Sequence, residues 1–311
     1  MSVDAPNPDS WPTLPPLEEW QETLTAVHLW TQIVGKVRLE LSPWINHSWG
    51  STLYVTSRGL TTSPIPYRGE SFAIDFDFVD HALRISTSWG RKWSMGLGPM
   101  SVSDFYRELM GGLTDLRIEV SILARPVEVE VSVPFAEDRA RRPYDAADVH
   151  AFWRALVQVD RVFKRFRAGF VGKSSPAHFF WGAFDLAVTR FSGRPAPKHP
   201  GGAPNVADWV MEEAYSDELA SAGFWPGTGL GEAAFYAYAY PEPEGYRAHP
   251  VHPAGASFHP ALGEFVLPYE EVRSAPDPDA ALREFLESTY AAAADLGGWD
   301  RSRLERVLPP K

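Results

Sequence analysis

The chain contains no cysteine, which excludes disulfides, thiolate metal sites, iron–sulfur clusters and a cysteine nucleophile. It has no apolar run of the roughly 18 residues that a transmembrane helix requires. Its first sixteen residues, MSVDAPNPDSWPTLPP, lack both the basic n-region and the apolar core of a secretory signal. The expectation is a cytoplasmic protein that does not engage a membrane. Positive charge is in deficit: 29 Lys and Arg against 40 Asp and Glu leave a net charge of −11. That balance opposes general attraction to nucleic-acid phosphates, so no nucleic-acid partner is expected.

Catalytic signatures are also missing. There is no HExxH, GxSxG or EF-hand loop, and GTGLGE places Glu232 where a dinucleotide fingerprint needs its last glycine. Gly172-Lys173-Ser174 has the ending of a phosphate loop. The full pattern requires a glycine where Arg167 stands, and a strand rather than a helix before it. No cofactor can be read from the residues.

What the chain has in surplus is aromatic side chains, with 18 Phe, 12 Trp and 11 Tyr, enough to fill a core and still wall a pocket. Its 311 residues allow about two domains. Residues 1–16 are proline-rich and read as an extended lead-in. Trp20, Leu24, Val27, His28 and Thr31 then fall on one helical face, with Gly35 as the expected stop. Val37 to Leu41 and Thr52 to Ser57 read as strands, and 61–70 as a loop. Phe72 to Phe78 alternates cleanly, with Asp75, Asp77 and, beyond it, His81 on the face opposite the phenylalanines. Leu83 to Ser88 and Ser94 to Leu97 continue as strands. Ser101 or Ser103 caps a helix, and alternation predicts strands at Ile118 to Leu123 and Val127 to Val133. A long helix is expected from about Asp145. Ser192 to Pro204 reads as loop, Ala207 to Ala220 as an acidic helix, Phe235 to Tyr240 and Glu264 to Leu267 as strands, and Asp279 to Leu296 as a helix.

The two halves share a plan. Val34-Gly35-Lys36, Ser42-Pro43, His47, Trp49 and Gly50 are echoed by Val171-Gly172-Lys173, Ser175-Pro176, His178, Trp181 and Gly182. An aromatic alternating strand and a closing helix follow in both. The predicted fold class is α+β: two related helix–antiparallel-sheet–helix units, 17–135 and 145–311, packed around a pseudo-two-fold axis as one module. A small-molecule ligand is the expected partner, bound in the cleft between the units.

Candidate chemistry centres on His47 and His178, which as symmetry mates would bind a metal or move a proton; singly, each reads as a turn histidine stacked on a tryptophan. Asp75, Asp77 and His81 offer carboxylates spaced to share a cation, or simply a solvated sheet face. Trp49, Trp181, Phe180 and Tyr238 would wall the site, and Asp185 would add a polar group. Lys173 and Arg194 are candidate anion contacts, with His199 in the adjoining loop. The basic run Arg161, Lys164, Arg165, Arg167 and Lys173 reads first as a solvated face pairing with Glu212, Glu213, Asp217 and Glu218. The competing function class is a non-catalytic interaction module using aromatic and proline-rich loops.

The segments HLWTQIVGKVRLELSPWINHSW, FAIDFDFVDH, GKSSPAHFFWGAFDLAVTRFSGR and EAYSDELASAGFWPG resemble a bacterial family described only as domain of unknown function 5996. The resemblance runs from about Pro16 to Trp299 and implies a soluble bacterial protein made of this one module. It brings with it no catalytic residue, cofactor or substrate.

Overall fold

The computed structural model describes residues 10–306, and its architecture is α+β. Helix α1 (Leu17–Leu41) is buried on every side from Leu29 to Arg38, as befits a helix without a polar face at the centre of a core. An antiparallel sheet follows, built from β1 (Tyr54–Val55), β2 (Gly59–Thr61), β3 (Ile65–Tyr67), β4 (Glu70–Asp77), β5 (Ala82–Thr87) and β6 (Lys92–Gly96). Its order is β1-β2-β4-β5-β6, with β3 also on β4. Strand β7 (Met100–Ser101) leads into α2 (Val102–Asp115) and pairs with β8 (Arg141–Arg142) just before α3 (Ala146–Ala168).

The second sheet contains β9 (His178–Phe180), β10 (Asp185–Pro195), β11 (Asp217–Trp225), β12 (Ala234–Tyr240), β13 (Ser257–His259) and β14 (Glu264–Pro268). Its order is β13-β14-β12-β11-β10-β9. Helix α4 (Asp208–Ala214) lies between β10 and β11 in sequence, and α5 (Tyr269–Arg273), α6 (Pro278–Leu296) and α7 (Arg301–Leu304) complete the described chain. The two sheets meet edge to edge where Leu53 and Phe179 exchange both backbone hydrogen bonds, each 2.9 Å. Among the described residues no helix is long and apolar enough to cross a membrane.

Helices α3 and α6 cover one face of the second sheet. That face carries the buried Leu186 and Val188 and also Arg190, whose guanidinium lies 3.4 Å from the Phe166 ring centroid and 4.3 Å from that of Tyr290. This stacking and a 3.5 Å contact with Glu287 account for a buried arginine on an apolar face. The opposite face is left for α4 and the loops, and there the site forms.

Several expectations need correction. Gly35 does not end α1, and Val37 to Leu41 is helical. The Trp181 indole occupies the space that a Cβ at Gly35 would need, so this glycine serves a close approach rather than a stop. The expected 52–57 strand is reduced to Tyr54 and Val55, with Leu53 bridging to Phe179 beside it, and the 61–70 loop contains β3. No strand forms over 118–133. There Gln32 takes both backbone groups of Val127, accepting from its N–H and donating to its C=O at 2.8 Å each, and the Glu128 N–H goes to Pro204. Strand β10 runs on to Pro195, and the acidic helix stops at Ala214, its remainder becoming β11. Of the basic run, Lys173 pairs with Asp217 as expected, whereas Arg161 and Arg165 pair with Asp279, and Lys164 with Asp160.

The long helices of the second half, α3 and α6, begin where side-chain caps predict, at Asp145 and Asp277, and α2 at Ser101. Each half runs helix, antiparallel meander, helix, yet the matched histidines differ: His47 sits in a turn at φ +58° and His178 in a strand. Of the expected lead-in, residues 1–9 lie outside the described residues, while Trp11 is buried and donates to Asp279 at 3.2 Å.

Gly35→Ala sets two effects against each other. Alanine is worth about 1 kcal/mol over glycine inside a helix, whereas overpacking costs about 1–3 kcal/mol. Because the clash is with a buried ring, we expect net destabilisation, read as a lower urea midpoint. A raised midpoint would show that Trp181 is not seated on α1.

Candidate ligand-binding site

Period-two alternation brings the polar and aromatic side chains to one face of the second sheet. Asp185, Ala187, Thr189 and Phe191 of β10, Leu219, Ser221 and Trp225 of β11, Tyr236 and Tyr238 of β12, and Glu264 at the start of β14 line a cavity of about 420 Å³. Facing them are His47 to Trp49, Glu128, and Val210, Met211, Ala214 and Tyr215 in and after α4. The small side chains of Ala187 and Ser221 leave room in the floor. Gly223 does more: a Cβ there would collide with the Tyr236 ring. Since Ala187, Gly223 and Tyr236 are cross-strand neighbours, its absence lets the tyrosine lie across β11 and donate its hydroxyl to Asp185 Oδ2. The other oxygen, Asp185 Oδ1, is buried without a hydrogen-bond partner. Beside this pair, the Tyr215 and Tyr238 hydroxyls share a 2.9 Å hydrogen bond, as do those of Thr189 and Ser221, also 2.9 Å.

Three carboxyls converge here, and none is matched by a Lys or Arg in the described lining. Burial pushes Asp185 up to about 7 against the opposing pull of the Tyr236 hydrogen bond, and Glu128 raises it further. Desolvation, then the nearness of Asp185, brings Glu264 to about 7 as well. Glu128 is exposed to solvent on one side and walled by protein on the other, where desolvation raises its pKa and Lys36 pulls the other way. Its carboxylate packs where a Cβ on Gly182 would stand. The Tyr236 and Tyr238 hydroxyls are held well above the usual phenol range, chiefly by burial, and remain donors.

His47 and His178 both reach this region, but not as a pair. Their rings pack on Trp49, with centroids at 5.1 and 5.7 Å. His47 Nδ1 donates to the Ala214 carbonyl at 2.8 Å, so Nε2 is left to accept from Lys173 Nζ at 2.7 Å. Burial, and then the Lys173 charge, lowers its pKa. With both nitrogens engaged, it anchors the end of α4 and has no lone pair for a cation. His178 lies in register with Ala187 under Trp49, Tyr54 and Phe180. Neither of its nitrogens has a partner. Burial, helped by Arg38 and Arg167, pulls it down to about 3, which keeps it neutral. Among the described residues no group of three or more His, Asp or Glu is placed to hold a metal ion.

The remaining candidates lie apart from the cavity. Asp77 binds Arg58 at 2.7 Å and Arg84 at 3.2 Å and accepts from the amides of Val79 and Asp80. Burial would raise its pKa, but these partners outweigh it and hold the group at about 2. Asp77 is therefore a turn anchor, and Asp75 sits on the same strand opposite Arg84. His81 contacts the Tyr144 hydroxyl at 2.8 Å. Lys173 is spent on His47 and Asp217, and Arg194 on Glu218 and the carbonyls of Gly297 and Gly298. His199 stacks on Tyr215 at 4.4 Å. Trp181 donates to the Ser51 carbonyl at 2.7 Å and borders a neighbouring cavity instead. Sequence reasoning missed Glu128, Glu264, Tyr236, Tyr215 and Trp225. For Tyr236 a signal existed, since it shares the β12 face with Tyr238.

The sequence model of a family of unknown function, DUF5996, matches residues 11–306, so the chain belongs to that family. No curated protein and no solved structure matches it.

The buried Asp185 yields a signed prediction. Its folded pKa is raised, so its stabilising contribution is fully present below the unfolded value of 3.8 and is lost as pH rises through about 7. Asp185→Asn keeps the shape and an acceptor for Tyr236 but cannot ionise. The rise from 3.8 to about 7 at about 1.4 kcal/mol per pKa unit leads us to expect the variant to exceed wild type by about 4 kcal/mol in urea unfolding at pH 8, and to match it closely at pH 4. An equal difference at both pH values would mean that Asp185 is not held protonated by its surroundings.

Proposed function

We propose that this DUF5996 protein binds a small organic cation, an alkylated or aromatic amine, in the cavity between the second sheet and α4. The observation that carries the reading is the lining: three carboxyls with raised pKa values, aromatic side chains around them, and no Lys or Arg among the described lining residues. Burying acids this way costs stability, and the buried, unpartnered Asp185 Oδ1 points to a missing donor or positive charge. Tyr238, Trp225 and Trp49 line the cavity, and a cation–π contact with such a ring adds about 0.5–2 kcal/mol when desolvated. Bound between such walls, the ligand would draw Asp185 and Glu264 into their ionised forms. Carboxyls poised near neutral pH also suit acid–base chemistry on a bound amine, so the reading covers a binding protein and an enzyme alike.

The site takes His47, Trp49 and Glu128 from the first half and its floor from the second. The helix–meander–helix order of both halves supports treating 17–135 and 145–311 as related units with the ligand between them. Helix α4 forms part of the roof with no buried residue of its own, and elements so thinly packed open at low cost.

A second reading, the interaction module, has one observation behind it: exposed Trp44 and Trp209 lie 5.0 Å apart on the outer side of the roof, next to exposed Ile45. Calorimetry with choline and its uncharged isostere 3,3-dimethylbutanol separates the two. We expect choline to bind at least about tenfold more tightly, a difference of about 1.4 kcal/mol, and Asp185→Asn and Tyr238→Ala to lose that margin. Affinity should rise with pH through 7 and then level, because His47 stays neutral and the tyrosines stay protonated across that window. Equal binding of both probes, or none, would remove the cation site and leave the tryptophan surface as the stronger reading.

A further inference from the structure

A second cavity of about 250 Å³ lies on the other side of Glu128, along the C-terminal half of α1. Ser48, Glu128, Phe180, Val206 and Val210 border both cavities. Its distinctive group is Lys36. This lysine is only 4% exposed, lines the cavity, and makes no hydrogen bond or ion pair among the described residues. Its Nζ lies 5.5 Å from the Trp181 ring centroid. A structural lysine in a core usually pairs with a carboxylate; Lys36 has no such partner and presents its amine to the cavity instead.

An anionic ligand would be one way to satisfy this amine, but the cavity wall argues against it: Glu40 and Glu128 both line the space and would repel an anion. A neutral electrophile meets no such objection. We propose that Lys36 is a reactive amine that forms an imine with a small aldehyde or ketone held in this cavity, with Glu128 carrying the protons. In the first step the neutral amine nitrogen attacks the carbonyl carbon. The C–N bond forms as the C=O π pair moves to oxygen, which takes a proton from the Glu128 carboxyl. Next the nitrogen of this carbinolamine returns a proton to Glu128. Glu128 then protonates the hydroxyl, the C–O bond breaks, and water departs as the nitrogen lone pair completes the C=N bond. Atoms and electrons balance without an oxidant or reductant.

The surroundings favour each part. Desolvation lowers Lys36 to about 8, with Glu128 pulling it upward, so the free amine is far more abundant near neutral pH than in an ordinary lysine. Glu128 is near enough for its charge to be felt without forming a salt bridge, and both groups line the same cavity. Leu39, Val127 and Trp181 supply apolar walls that restrain hydrolysis of the product. None of this rests on the cation reading of the larger cavity.

The test is reductive trapping of the full-length protein with butanal and cyanoborohydride at pH 7.5, followed by peptide mass mapping. We expect Lys36 to be alkylated at least about tenfold faster than the exposed Lys92 and Lys198, and Glu128→Gln to slow Lys36 while leaving those two unchanged. Labelling of Lys36 no faster than Lys92, or not at all, would overturn the proposal. Labelling of Glu128→Gln at the wild-type rate would overturn the role given to Glu128. The wild-type comparison needs no variant and stands even where a substitution at Lys36 prevents folding.

Discussion

The seating of the turn between β9 and β10 on helix α1 is the contact on which the site depends. Trp181 fills the space left by Gly35, and its indole N–H is taken by Ser51. Two turns earlier on the helix, His28 Nε2 contacts the Gly182 carbonyl at 2.8 Å. At the next polar position, Gln32 holds both backbone groups of Val127. These contacts fix three things together: Phe180 and Asp185, which flank the turn, and Glu128, which follows Val127. A buried polar residue in a helix is costly unless paired; here the pairing of Gln32 positions a loop that has no strand of its own.

The electrostatics run against stability. Asp185 is buried with one oxygen unpartnered, Glu264 is raised by it, and His178 is an imidazole with neither nitrogen bonded. An apolar lining would fold at lower cost. Perturbed carboxyls in an aromatic cavity are the pattern expected where function, not folding, selects the residues. The contrast with Asp77 is instructive, because an acid with two arginines and two amides around it drops to about 2. One sheet carries an acid that is fully compensated, and the other carries acids with no Lys or Arg beside them in the described cavity lining.

Much of this was legible in the residues. Alternation placed Asp185, Ala187 and Thr189 on one face of β10 and Tyr238 on the matching face of β12, and Trp49, Phe180 and His47 do border the same cavity. Local rules succeeded where local physics decides, as at the caps of Ser101 and Asp145. They failed where tertiary contacts override them. Val37 to Leu41 alternates like a strand but continues a helix buried on all sides, and Val127 to Val133 alternates like a strand but is held by Gln32. Glu128 was hidden by that second failure, since a glutamate in V-E-V-E reads as a solvated face. The pairing of His47 with His178 foundered on chemistry that no spacing reveals: one ring is tied to Ala214 and Lys173, and the other is sealed under Trp49.

The central claim is that burial and the repulsion of neighbouring carboxyls hold the Asp185 and Glu264 midpoints at about 7 in the acid-lined cavity and that both groups ionise when a cation binds. Carbon-13 NMR titration of the labelled carboxyls, with and without saturating benzyltrimethylammonium, measures this directly. The prediction is midpoints at about 7 for both groups in the free protein, each moving down toward the ordinary carboxylate range with the cation bound. Ordinary midpoints in the free protein, or midpoints that the cation leaves in place, would contradict it.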